Sequence, residues 1–116
     1  MDYETPDLVV REVNGVTIVR LKNANLTGML EIQHITSELD QLLEQGVRKL
    51  VIDFKYVKHV GSAALGLLIA LQKKMDKLGG KMILSHSENI ADLLNVSRTA
   101  SLFKLASDPK AAFAMI

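Results

Sequence analysis

Apolar residues fall in short, regularly spaced groups along the chain. Residues 8–13 and 16–21 are β-branched-rich runs split by Asn14-Gly15. That dipeptide readily supplies the positive φ angles of a tight turn, so the chain is predicted to open as a β-hairpin. Ile32, Ile35, Leu39, Leu42 and Leu43 then recur at helical spacing, with Thr27 as the expected cap and Gly46 as the stop. Residues 49–54, centred on Leu50, Val51 and Ile52, form a continuous apolar run suited to a strand buried on both faces. A second helix is predicted over 62–78, stopped by Gly79-Gly80, and a strand over 81–84. A short helix at 88–96, an edge strand at 102–104 and an amphipathic helix from Asp108 to the end complete the pattern.

Strands alternating with helices across short connections imply right-handed crossovers. The expected fold class is α/β: one mixed, mostly parallel sheet of four to five strands, with an N-terminal hairpin and about four flanking helices. Length fits this picture, since 116 residues suit a single domain, 1–116, with one core. Hydrophobic residues make up 48% and charged residues 23%, enough apolar surface to offset chain entropy, so disorder is not expected.

Charge and composition remove several function classes. A net charge of +1 lacks the basic excess that phosphate-backbone binding usually needs, so nucleic acid is not an expected partner. Without cysteine there are no disulfides, thiolate metal sites or Cys nucleophiles. The longest strongly apolar stretch, 63–71, is about half of a membrane span, so no membrane insertion is expected. Residues 1–7 hold three acids and a proline, unlike a signal peptide, and the expected location is cytoplasmic. The near-zero net charge nevertheless hides an asymmetry. Residues 48–81 carry eight bases against Asp53 and Asp76, a net +6, while the rest carries six bases and eleven acids, a net −5. A basic central third in an acidic frame can orient an acidic partner, although lysines also simply solvate helix faces.

Function in open α/β sheets concentrates where strand carboxyl ends meet helix amino ends, here the stretch D-F-K-Y-V-K-H-V-G-S-A-A-L-G from Asp53 to Gly66. Ser62 is well placed as N-cap of the second helix, and a capping serine after a turn glycine would explain Gly61 and Ser62 without further function. Ala64, Leu67, Leu68, Leu71, Met75 and Leu78 make one apolar stripe that can anchor this helix on the sheet. Leu65 and Ile69 lie off that stripe, beside Ser62, Gly66 and Lys73, which suggests either a partner surface or packing on a neighbouring element. Gly66 costs about 1 kcal/mol relative to alanine inside a helix and needs a reason such as close approach.

Catalytic patterns are weak. Val60 and Ala64 stand where G-x-S-x-G around Ser62 would need glycines. Gly61 and Gly66 have phosphate-loop spacing, but Leu67 replaces the required lysine. His34, His59 and His86 follow no metal-ligand spacing, and a Ser62, His59, Asp53 triad lacks an arguable oxyanion donor. Enzymatic activity, metal and cofactor are therefore not expected.

The run 50–68, with Gly79-Gly80 and the tail 90–103, resembles the STAS domain, the family of anti-sigma-factor antagonists. Asp53, Val57, Val60, Ser62, Leu65 and Gly66 fall without gaps on the family pattern hydrophobic-D-x-x-x-V-x-x-hydrophobic-D-S-[ST]-G-[LM]-[GA], and Leu102-Phe103 matches a later signature. The resemblance implies a small sheet of four or five strands, the first antiparallel to the rest, and protein binding instead of catalysis. It further implies contact with a serine kinase anti-sigma factor through the loop and amino end of the second helix, here His59, Gly61, Ser62, Ala63, Leu65, Gly66, Ile69 and Lys73. In the family that kinase phosphorylates the second hydroxyl residue of the motif. This chain departs there: Gly61 replaces the aspartate, Ala63 the phosphoacceptor and Ala64 the glycine, while Asn25 lies near where the family often has an aspartate. Ser62, one residue earlier, is the candidate substitute acceptor, unless a capping role turns its hydroxyl back to the helix amides. The leading reading is an antagonist-like regulatory module with its switch lost or altered. The alternative is an accessory subunit of a multiprotein complex, such as a lipid-transport ABC system or a stress-sensing assembly. Homo-oligomerisation stays open under both.

Overall fold

A computed structural model describes residues 2–116. Strands β1 (Tyr3–Glu4), β2 (Leu8–Val13) and β3 (Val16–Leu21) form an antiparallel meander. Between β2 and β3, Asn14 and Gly15 both take positive φ, 51° and 80°, the backbone that a two-residue hairpin of the right twist requires. The chain continues through β4 (Asn25–Leu26), α1 (Met29–Glu44), β5 (Lys49–Asp53), β6 (His59–Val60) and α2 (Ser62–Lys77). It ends with β7 (Lys81–Ser85), α3 (Ala91–Val96), β8 (Lys104–Ala106) and α4 (Pro109–Met115).

The main sheet has the order β1-β2-β3-β5-β7-β8 and is parallel from β3 to β8. Six strands stand where four to five were expected, because β1 adds a two-residue edge too short to show any alternation. A separate parallel pair joins β4 to β6, again two residues each and without a readable period.

Side chains alternate across a strand, so each strand feeds two cores. Leu8, Val10, Val19, Leu21, Leu50, Ile52, Met82 and Leu84 share one core with the buried stripes of α1 and α2. On the opposite face Val16, Val51, Ile83 and Ala106 meet Ala112 of α4. The crossover helices thus cover the first face, and α4 lies against the second. Asp108 caps α4, accepting the Ala111 N–H at 2.7 Å, with Pro109 in the first turn.

Local details correct the sequence reading. Thr27 and Ser62 do not cap their helices: Gly28 and Gly61 hold the N-cap positions in extended conformation, with no side-chain cap bond. The pairing of β4 with β6 decides this, since the Gly61 N–H donates to the Leu26 carbonyl and keeps Gly61 extended. The Gly61 carbonyl in turn accepts from the Ala64 and Leu65 amides. Residues 88–96 divide into a 3-10 turn, Ser87–Asn89, and α3. The edge strand sits two residues later than expected, because Ala100–Leu102 form another such turn. In the α2 stripe, Ala64, Leu68, Leu71 and Met75 are buried, Leu67 is half-buried and Leu78 is exposed. Gly80 has a steric reason: a Cβ there would lie 2.7 Å from both the Arg48 carbonyl oxygen and Met75 Cε.

Candidate docking site

The β4 and β6 pair brings the starts of α1 and α2 to one pole. Asn25 faces His59 and Leu26 faces Val60 in register, while the Lys58 and His59 amides both donate to the Ala24 carbonyl. Thr27 Cα lies 3.6 Å from where a Gly61 Cβ would sit. Of the residues expected to act at this pole, His59 and Ser62 are exposed, and Gly61 and Ala63 are half-buried.

Along α2, Ser62, Gly66 and Ala70 are exposed at four-residue steps, which sets three small side chains in a row on the outer face. Nothing lies within 4 Å of a Cβ added at Gly66. The chain's own packing therefore does not explain the glycine. Leu65 and Ile69, expected as an apolar flank, are half-buried and pack partly against the core. Lys73 is exposed, about 16 Å of helix from Ser62, at the far limit of any surface centred on the pole.

Two residues of this pole escaped the sequence reading. Met29 and Leu30, in the first turn of α1, are 63% and 71% exposed. Leu30 fits none of the three- or four-residue steps of the α1 stripe, and that mismatch was the available signal.

Asp53 ends β5 fully buried, on the sheet face away from α1 and α2. Its carboxylate accepts from Arg20 Nε at 3.0 Å, from Ser85 Oγ at 3.0 Å, and from the Lys55 amide at 3.2 Å. His86 Nδ1 also meets it and, facing a pure acceptor, carries the proton. Burial pushes the Asp53 carboxyl up, but the hydrogen bonds from His86, Arg20 and Ser85 and the imidazole's charge outweigh burial and hold it below the ordinary 3.8. Asp53 is therefore bound to His86 and Ser85, not to His59 and Ser62, and the Ser62, His59, Asp53 triad is not assembled. Because Asn89 Nδ2 also donates to the Phe54 carbonyl at 2.7 Å, the 3-10 turn after β7 anchors the loop that leads to His59.

The basic third divides unevenly. Lys55 and Lys58 lie in the loop before the pole, whereas Lys49 and Lys81 begin β5 and β7 and Lys74 and Lys77 end α2. Most of the positive charge of residues 48–81 is thus at the end of α2 away from Ser62, and not at the pole where α1 and α2 begin. Among the described residues, no helix is long and apolar enough to cross a membrane.

The profile of the STAS domain family matches residues 7–112. BtrV of Bordetella bronchiseptica, provisionally named an anti-sigma factor antagonist, is 21% identical over 108 residues, spanning 92% of this chain and 91% of that protein. An anti-sigma-factor antagonist (STAS) domain protein from Planctomyces limnophilus superposes with a TM-score of 0.81 at 21% identity, covering 97% of this chain and 100% of the other. SpoIIAA, a Bacillus cell fate determinant solved in its phosphorylated form, gives 0.70 at 16% identity, covering 94% and 99%.

Proposed function

The chain belongs to the STAS domain family, and on that premise we propose that it is a single-domain, cytoplasmic, non-catalytic regulator that binds a protein partner through the outer face of α2. The partner class is a serine kinase anti-sigma factor or a related signalling protein. The observation that carries this reading is Gly66: exposed, inside a helix, and with open space where a side chain would go. An interior helical glycine costs about 1 kcal/mol against alanine. A partner's backbone passing close over the small row Ser62, Gly66 and Ala70 supplies the missing reason. His59, Gly61, Ala63, Leu65, Ile69 and Lys73 border that row, and exposed Met29 and Leu30 extend it with apolar area of the kind that anchors interfaces.

The switch is altered in this reading. Ala63 has no hydroxyl and cannot be phosphorylated. The hydroxyl of Ser62 is exposed and makes no cap bond, so it is available as a substitute acceptor. Phosphate there adds about −1.5 to −2 charges to an otherwise uncharged contact row, enough to repel a partner whose surface matches the unmodified state. Ala63 also favours a second reading, in which the domain is an accessory subunit of a multiprotein complex such as a lipid-transport ABC system or a stress-sensing assembly, and docks permanently without a phosphoacceptor.

Native affinity capture followed by mass spectrometry tests both. A kinase-like partner released when Ser62 carries phosphate supports the first reading. Co-purification with an ATPase subunit while Ser62 stays unmodified under all growth conditions supports the second. Capture that is unchanged by Gly66→Arg sinks the common premise that α2 is the contact surface.

A further inference from the structure

Helices α1 and α2 are bridged by Lys74 Nζ, which reaches Asp40 Oδ1 at 2.8 Å. About one turn further toward the carboxyl ends, Glu44 follows Asp40 and Lys77 follows Lys74. The same charges recur there, yet this second rung is not made. Glu44 and Lys77 are exposed and have no ion-pair partner among the described residues. A groove of about 630 Å³ opens between the helices instead, lined by Leu43, Glu44, Arg48, Lys77 and Leu78 among others. Arg48 is fixed beside it by the Leu43 and Val47 carbonyls at 2.9 and 2.8 Å, and Leu78 is 44% exposed.

With Asp40 already bound to Lys74 and Arg48 held by the Leu43 and Val47 carbonyls, the unpaired charges left on the groove are Glu44 on the α1 side and Lys77 on the α2 side, one of each sign, which a second copy can match. A two-fold axis through the groove would set α1 of one copy beside α2 of the other, with Glu44 opposite Lys77 twice and the Leu78 side chains between them. We propose that this groove is where the chain pairs with a second copy. The groove lies about 22 Å of helix from Ser62, so pairing leaves both docking rows free and yields a bivalent regulator. The contact is small, and the dimer is weak and salt-sensitive.

Sedimentation at low ionic strength, from micromolar to millimolar protein, tests the pairing. Wild type should dimerise with rising concentration, and salt should reverse it. Glu44→Lys and Lys77→Glu alter exposed side chains and should keep the native circular dichroism. Each should weaken dimerisation at least about tenfold, because it places like charges at both symmetric contacts. An equimolar mixture of the two variants should dimerise again, as should the double variant. A wild type that stays monomeric at millimolar concentration overturns the proposal, as does a mixture that fails to recover. Vesicles containing phosphatidylserine provide the remaining arm: monomeric wild type that sediments with them, more strongly as Glu44→Lys and less as Lys77→Glu, assigns the groove to an anionic surface and not to a second copy.

Discussion

Two glycines of the α2 segment make opposite demands. Gly80, just beyond the helix, is enclosed: a Cβ would strike the Arg48 carbonyl and Met75 at 2.7 Å. A Cβ added at Gly66, inside the helix, would meet nothing within 4 Å. The fold itself accounts for the first, whereas nothing in the chain's own packing accounts for the second, and the proposed partner would supply its reason. The same division separates buried Asp53, held by Arg20, Ser85 and His86, from exposed Ser62, whose hydroxyl caps nothing. Residues with an internal reason should govern stability, and those without one should govern binding.

The largest expected effect is at Asp53. Asp53→Ala leaves Arg20 and His86 without their buried counter-charge and should cost about 3 kcal/mol in denaturant unfolding. Its pH dependence has a definite sign. The folded carboxyl titrates below the ordinary 3.8, so its contribution is complete above that value and is lost as pH falls through the folded one. Asp53→Asn should abolish that acid-dependent part, and an identical acid profile in the variant would remove the cluster from the internal class.

Gly80→Ala comes next, with a loss of about 2 kcal/mol, because the clash is with a backbone carbonyl that also receives the Lys81 amide. Gly66→Ala should move the other way, stabilising the protein by about 1 kcal/mol in the same measurement. If both glycines destabilise on substitution, the contrast between them fails. The smallest effect belongs to Ser62→Ala, within about 0.5 kcal/mol of wild type, since no cap bond is lost. A loss of about 1 kcal/mol would instead restore the capping role.

Much of the fold was legible because its signals are local. Asn14-Gly15 announced the hairpin, and the α1 stripe and the 49–54 run announced a helix and a strand that the structure places within a few residues of the expected bounds. What escaped depended on partners distant in sequence. Two residues carry no period, so β1, β4 and β6 were invisible, yet β4 with β6 decides that Gly61, not Ser62, ends the extended segment. The same pairing brings Met29 and Leu30 to the pole where α1 and α2 begin. The Asp53 cluster draws on β3, β5 and the end of β7, and no spacing in the sequence distinguishes His86 from His59 as its imidazole. The charge split along the chain was correct as arithmetic but misleading as geometry, because strand starts and helix ends collect most lysines at the far end of α2.

In the proposed function the row Ser62, Gly66 and Ala70 serves a partner and not the fold. Gly66→Arg tests it most directly, with affinity capture from the native lysate run beside thermal unfolding for the variant and wild type. Arginine is the better helix former at an exposed site, so the variant should unfold at an equal or higher temperature. It should nevertheless lose the partner that wild type retains. A variant that captures the same partner in the same yield would contradict the account.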